Sequence, residues 1–414
     1  MRRGADVTAV RAEGVSLPQK RYTGDEAGPL TGVRMLDLTR LVSGAQLGLV
    51  FGDLGADVVK VERPGLGDPF RHTTADGYDA YWRAYARNKR SVTLNLADPR
   101  GRALLFRLVE TADVLAENFT KGVLERLCGG PDALLEANHK LVIVRITGWG
   151  QTGPRASQPG FGTLAEAYSG FTFLNGPADG PPVQAPLSLA DTVAGTYAAT
   201  AALAALWNVR VNGGPGQVVD VSLFEPLYSI MGADATAFAG RGVLRRRGEG
   251  AGVSSVRGVF QTSDDHWIAI SAATDETAAR FFDAIDRSDL LVDPRFASSE
   301  ARLANREELH EALVPEFRRF TREQILALAA DHRLTIGPVL DIVDMLADDH
   351  YLARETIVEL EDGVVLHNVV PRLSETPGAI RLPAPRLGEH NSEIYGALGL
   401  DADELARLAE EGVV

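Results

Sequence analysis

A single cysteine, Cys128, stands in a chain of 414 residues. One thiol forms neither an internal disulfide nor a thiolate metal cage, so the chain reads as a cytoplasmic protein of a reducing compartment. Following Leu124, Arg126 and Leu127, Cys128 reads as a packed core thiol. Residues 1–28 lack an apolar run and mix Arg2, Arg3, Arg11, Lys20 and Arg21 with Asp6, Glu13, Asp25 and Glu26. That excludes a signal peptide and leaves a loose N-terminal arm. A good membrane span is also missing. The most apolar stretch, 192–209, is mostly alanine with three threonines, which predicts a buried helix and no membrane. Basic charge is in deficit, 42 Lys and Arg against 56 Asp and Glu, for a net −14. Nucleic-acid binding needs a broad basic face and is excluded on this balance. An anionic small ligand is not, since a few arginines gathered in one cleft suffice.

Several motifs are absent as well. The eight histidines show no H-x-H or H-E-x-x-H spacing, so no metal site is expected. There is no phosphate loop of the G-x-x-x-x-G-K-[ST] type and no G-x-S-x-G elbow. The first strand–helix turn reads Thr39-Arg40-Leu41-Val42-Ser43-Gly44, not G-x-G-x-x-G, so a parallel sheet here does not imply NAD.

What is present begins with alternation. Strand-type runs at 33–38, 56–62, 114–116, 141–146 and 217–221 are separated by helical stretches such as 45–54 and 99–110. This predicts an α/β fold with a parallel sheet covered on both faces. Glycines and Arg245-Arg246-Arg247 crowd 233–252, which reads as a linker. Strands at 258–261 and 267–270 follow, with helices at 277–285, 302–318 and 322–328, as in a smaller α+β unit. A hairpin across Asp362-Gly363 and helices at 392–398 and 402–411 close the chain.

Basic and polar residues collect after the predicted strands: Arg40 after the first, Arg63 after the second, Asn118-Phe119 after the strand at Leu115, with Lys121 and Arg126 beyond. Ligands of open α/β sheets bind outside the carboxyl ends of the strands, and arginine there suits phosphates. Asp191 opens the 192–209 helix, at or near its N-cap. Locally this is the position of a structural cap. The same exposed amides and positive helix end would keep a half-buried carboxylate ionised and oriented as a nucleophile.

Ordered segments add a resemblance. They are Leu36-Asp37-Leu38-Thr39, Gly52-Asp53-Leu54-Gly55-Ala56-Asp57 running on to Glu62-Arg63, Asn88-Lys89-Arg90-Ser91, Glu117-Asn118-Phe119, Thr147-Gly148-Trp149-Gly150, Leu189-Ala190-Asp191, Gly216-Gln217-Val218-Val219-Asp220 and Gly388-Glu389-His390. In this order the chain resembles the family III CoA-transferases, the group of formyl-CoA transferase and the carnitine CoA-transferase, from Gly32 to Val414. The resemblance implies that Asp191 is the nucleophile. It also implies CoA contacts at Arg40, Val42, Ser43, Arg63, Leu94, Asn95, Leu96, Asn118, Phe119 and Arg126. Coenzyme A and acyl-CoA are then substrates, with no prosthetic group and no metal.

The architecture implied is a Rossmann-like large domain (29–230 with 346–414), a linker at 231–252, a small α+β domain at 253–345, and two interlocked subunits. Gly248-Glu249-Gly250-Ala251-Gly252 is the candidate lid. Related racemases of the same fold pair the aspartate with a histidine about thirty residues earlier. That stretch here reads Pro159-Gly160-Phe161-Gly162, with no histidine. A CoA-binding protein without catalysis is the remaining alternative.

Overall fold

The computed structural model describes residues 16–73, 77–245, 247–248 and 256–414. After a two-residue strand, β1 (Gln19–Lys20), the chain builds β2 (Arg34–Asp37), β3 (Asp57–Glu62), β4 (Lys89–Thr93), β5 (Val114–Glu117), β6 (Val142–Thr147) and β7 (Gln217–Ser222). The last six form one sheet in the order β4-β3-β2-β5-β6-β7, every pair parallel.

Successive residues of each central strand point to opposite faces, and both faces are buried. Leu36, Val59, Leu115 and Ile143 join one core with Leu104, Leu105, Leu124 and Leu134. Their neighbours Met35, Val58, Val114 and Val142 join the other core, with Leu47, Phe51 and the alanines of the Leu189–Arg210 helix. This explains why the strands read as unbroken apolar runs. The chain's own end closes the first core: Tyr395, Leu400, Leu408, Val413 and Val414 pack there, Tyr395 donates from its hydroxyl to Thr93 O (2.8 Å), and Asn95 N donates to Val413 O (2.8 Å).

Two compact units result, one of Leu17–Thr236 with Glu355–Val414, the other around Ala237–Arg354. In the second unit β8 (Val256–Gln261), β9 (Trp267–Ala272) and β10 (Ile336–Pro338) form an antiparallel sheet. It covers Phe281, Phe282, Leu309, Leu313 and Phe317. The strand β10 was not anticipated; at three residues, with a Gly and a Pro, it carries no readable pattern. The helix expected over 302–318 is two, Ser299–Ala304 and Arg306–Phe317, broken where Asn305 takes a non-helical φ of −116°. The expected hairpin forms between β11 (Ile357–Leu360) and β12 (Val365–His367), and β1 adds to β11 in parallel.

The Leu189–Arg210 helix is long and apolar enough, by length and composition, to cross a membrane. Its buried residues, including Ala190, Ala194, Ala198, Ala199, Ala202 and Ala205, lie against the sheet, which makes it a core helix.

Candidate active site

The parallel sheet sets all its carboxyl ends along one edge. The strand order reverses between β2 and β5, which are parallel neighbours: the chain adds β3 and β4 on one side and β5, β6 and β7 on the other. Such a reversal opens a crevice where ligands of this architecture sit. Arg40 follows β2 and Asn118 follows β5, so they flank it. Asn118 Oδ1 accepts from Arg40 N (2.9 Å) and Asn118 Nδ2 donates to Arg40 O (2.7 Å). Both backbone groups of Arg40 are held, and its side chain stands exposed.

A buried charge network lies under this turn. Asp37 accepts from Thr39 N (3.0 Å) and Thr39 Oγ1 (2.5 Å). Lys60 donates to Thr39 O and pairs with Asp37 (3.5 Å) and Asp68 (3.1 Å). Lys89 donates to Asp37 (3.0 Å) and to Ala45 O (3.2 Å), and Asp68 accepts from Leu41 N (3.3 Å). Burial by itself pushes the Asp37 carboxyl up; Lys60 and Lys89 outweigh it and hold the group at about 2. Leu41 adopts φ 61°, the left-handed region. A leucine there stores about 1–3 kcal/mol of strain, tolerated because the surrounding contacts over-determine it.

The turn leads into the Leu41–Asp53 helix, whose first turn holds Val42 and buried Ser43. That turn lies directly on the Leu189–Arg210 helix. A β-carbon at Gly195 would come within 2.3 Å of Ser43 O and 2.7 Å of Gln46 Cβ. Glycine therefore lets the two helices touch one turn beyond Asp191, which links the Arg40 loop to the carboxylate.

Asp191 is not the cap. The helix starts at Leu189 with Ser188 at the N-cap, and Ser188 makes no side-chain capping bond. Asp191 is the third helical residue. Two of the free amides reach another carboxylate: Glu166 Oε1 accepts from Leu189 N (3.1 Å), which also donates to Leu187 O (2.8 Å), and from Ala190 N (3.4 Å). Glu166 comes from the Gly162–Tyr168 helix and is 3% exposed. Of the helix end, Asp191 keeps its own backbone N–H, which lowers the carboxyl but does not outweigh what raises it. Burial, reinforced by the Glu166 charge, pushes its carboxyl up to about 6. The carboxylate lies against Gly162, where a β-carbon would fall 2.0 Å from Asp191 Oδ2.

The other predicted contacts divide. Arg63 and Arg126 are exposed, the first after β3 and the second in the Val123–Cys128 helix beyond β5. Leu94, Asn95 and Leu96 follow β4, on the same edge. Leu94 is 3% exposed in the core, with Leu96 packed against it. Asn95 donates to Gly412 O (3.3 Å) and accepts from Ala97 N (3.1 Å). These side chains tie down the C-terminal tail. Phe119 packs on the same core, its N–H donated to Glu117 (2.6 Å). Phe161, where the racemases carry histidine, is 66% exposed and precedes the first residue of the Gly162–Tyr168 helix. Of the candidate lid, Gly248 is described and 249–252 lie outside the described residues.

Sequence reading missed Glu166, Gly162 and the Asp37–Lys60–Asp68 network, since each acts on residues distant in the chain. A glutamate inside an apolar helical turn, Leu164-Ala165-Glu166-Ala167, was the one available signal for the first. Among the described residues no group of three or more metal-ligating side chains occurs.

Comparison with known proteins places the chain in a family. The family model described as CoA-transferase family III matches residues 30–391. The succinyl-CoA–D-citramalate CoA-transferase of Chloroflexus aurantiacus is 36% identical over 395 residues, 93% of this chain and 98% of its own. The succinate–glutarate CoA-transferase of Agrobacterium fabrum is 32% identical, covering 89% and 96%. Among solved structures, a CAIB/BAIF family protein from Brucella suis superposes with a TM-score of 0.80 at 30% identity, over 90% of this chain and 100% of that one. Rv3272 from Mycobacterium tuberculosis gives 0.79 at 30% identity, over 88% and 99%. With its parallel sheet, its strand-edge loop and a family match across nearly its whole length, the chain belongs to CoA-transferase family III and is a CoA-transferase.

Proposed function

We propose that the protein moves CoA from an acyl-CoA thioester to a free carboxylic acid through covalent intermediates on Asp191. The observation that carries this reading is the raised, partly buried Asp191 carboxylate beside Gly162, one turn from the helix that follows the Arg40 loop. An Asp191 oxygen attacks the thioester carbonyl; a C–O bond forms, the C–S bond breaks, and CoA leaves as thiolate. The thiolate attacks the Asp191 carbonyl of the resulting anhydride, releasing the donor acid as carboxylate and leaving an aspartyl–CoA thioester. The acceptor carboxylate then attacks that thioester and frees CoA thiolate again. Attack of the thiolate on the acceptor carbonyl yields the new acyl-CoA and regenerates the Asp191 carboxylate. No proton or electron is gained or lost overall, so the cycle requires no redox partner. A basic carboxylate is the better nucleophile, and donors aimed at the developing oxyanion would lower each barrier.

The anionic CoA would lie along the strand edge, with Arg40, Arg63 and Arg126 toward its phosphates and Val42, Ser43, Asn118 and Phe119 around it. Leu94, Asn95 and Leu96 would shape the far end of that edge. The relatives' names favour succinyl-CoA as donor and a mid-sized dicarboxylic or hydroxy-dicarboxylic acid as acceptor. We further infer an interlocked homodimer in the cytoplasm. Its support is the large unit's exposed Phe161, Tyr168, Phe173, Tyr197, Trp207 and Ile230, large apolar side chains that a partner subunit would cover.

The test incubates a panel of acyl-CoAs with isotopically labelled acids, wild type against Asp191→Ala. Transfer should be interrupted by hydroxylamine and lost in the variant. Undiminished transfer by Asp191→Ala would refute the nucleophile.

A further inference from the structure

We propose that Glu166 is a positioning residue of the transfer reaction, a buried carboxylate that takes the amides of the helix bearing Asp191 and leaves the nucleophile unneutralised. This rests on Asp191 being the nucleophile. Helix starts are ordinarily capped from within, by a Ser, Thr, Asp or Asn at the N-cap. Ser188 occupies that position without bonding, and Glu166 reaches in from another helix instead. Burying a charge to do what an exposed serine could do is an expensive way to cap a helix. It has a distinct consequence, however. An acidic residue at the third helical position normally folds back on the N-cap amide. Here Glu166 holds the neighbouring amides of Leu189 and Ala190, and its own negative charge faces Asp191.

The free enzyme therefore carries two carboxylates at one helix start: Glu166 takes the amides of Leu189 and Ala190, and Asp191 is left with its own backbone N–H. Acylation removes the charge on Asp191. Repulsion from Glu166 is thus present in the resting enzyme and absent from the mixed anhydride and from the aspartyl thioester. Raising the ground state relative to both intermediates accelerates their formation, which uniform binding does not do. The bonds to Leu189 and Ala190 also fix where the first helical turn, and so Asp191, stands.

Among the described residues, the charged and titratable groups on the surrounding elements are engaged elsewhere. The Leu41–Asp53 helix faces Asp191's helix with Ser43 and Gln46 and has no ionisable residue before Asp53. Glu225, on the Phe224–Ser229 helix, accepts from Ser222 Oγ (2.6 Å), and Tyr228 of that helix is exposed. Asp220 accepts from Gln151 N (2.9 Å). Arg145 on β6 pairs with Glu117 (2.7 Å) and Glu125 (2.9 Å). Tyr85, next to Thr192, is held neutral by burial.

The experiment compares wild type with Glu166→Gln, which keeps an acceptor for both amides and removes the charge. Wild-type kcat/KM should fall on the acid side with an apparent pKa near 6. Glu166→Gln should move that limb to lower pH, reduce kcat at pH 8 at least tenfold, and lower the fraction of hydroxylamine-trappable enzyme formed with acyl-CoA alone. A residue that only caps would leave the limb in place. An unshifted limb with kcat within twofold of wild type overturns the inference, as does a wild-type limb at the ordinary carboxylate position. Should Glu166→Gln not fold, Ser188→Asp, at an exposed site, adds a carboxylate beside the same amides and should move the limb upward; no movement refutes the proposal. Mass spectrometry of the hydroxylamine adduct separates the two ideas. An adduct absent from Asp191 defeats the nucleophile reading. An adduct on Asp191 with a Glu166-independent profile defeats only the role given to Glu166.

Discussion

Replacing Gly162 by alanine should disable the enzyme without unfolding it. A β-carbon there would lie 2.0 Å from Asp191 Oδ2 and 3.1 Å from Cγ. Comfortable contact requires roughly 3.5 Å, so the carboxylate must retreat by about 1.5 Å. The retreat is inexpensive for stability, because the atom displaced is the tip of a side chain that rotates about two bonds. Gly162 is moreover the first residue of a helix, and its backbone is outside the positive-φ region, so alanine adds no backbone strain there. Catalysis is less forgiving: a misplacement of about 1 Å costs about 10²-fold, close to 2.7 kcal/mol of barrier. The variant should therefore show kcat down about 10²-fold, KM for acyl-CoA within about threefold of wild type, and an unchanged or raised melting temperature. Steady-state transfer with the acid pair found by the substrate panel, beside a thermal melt, reads both quantities. A variant retaining more than half of wild-type kcat would show that Asp191 does not act from the position seen here. A collapse in melting temperature would show that Gly162 serves the fold.

Three further outcomes are expected. Asn118→Ala removes both hydrogen bonds that clamp the Arg40 backbone, each worth about 1 kcal/mol, so KM for acyl-CoA should rise roughly tenfold while kcat changes little; an unchanged KM would detach this turn from CoA binding. Lys60→Met leaves Asp37 and Asp68 buried beside one fewer cation and should destabilise by about 3–5 kcal/mol, a drop of roughly 10 °C in a melt; a loss below about 1 kcal/mol would count against the network. Asp191→Asn should stabilise the inactive protein. The carboxyl rises from 3.8 to about 6 on folding, so its ionised form opposes the fold by up to about 3 kcal/mol. That penalty is fully present above pH 6, fades as pH falls toward 3.8, and is absent below. Urea titrations should find the variant more stable than wild type at pH 8 and equal to it near pH 3.5; equality at pH 8 would contradict the raised carboxyl.

Much of this protein could be read without coordinates because its signals are local. A parallel strand buried on both faces shows as an apolar run in the chain itself, and 33–38, 56–62 and 141–146 became β2, β3 and β6 to within a residue or two. Arg63 and Asn118 follow their strands directly and Arg40 lies three residues past its own, so a shared edge was implied once the sheet was parallel. The segment Leu189-Ala190-Asp191 marked the carboxylate. Tertiary structure decided its state. Only there does Glu166, 25 positions earlier by the numbering, take two of the amides expected to serve Asp191, and only there does Gly162 make room for it. Only there does Lys60 neutralise Asp37 beneath the Arg40 turn. Such effects depend on through-space distance, and charge and desolvation act across contacts that sequence spacing does not encode. The sequence determined which residue bears the carboxylate. Folding determined that it stands beside Gly162 and a second buried carboxylate, Glu166, with its own carboxyl raised.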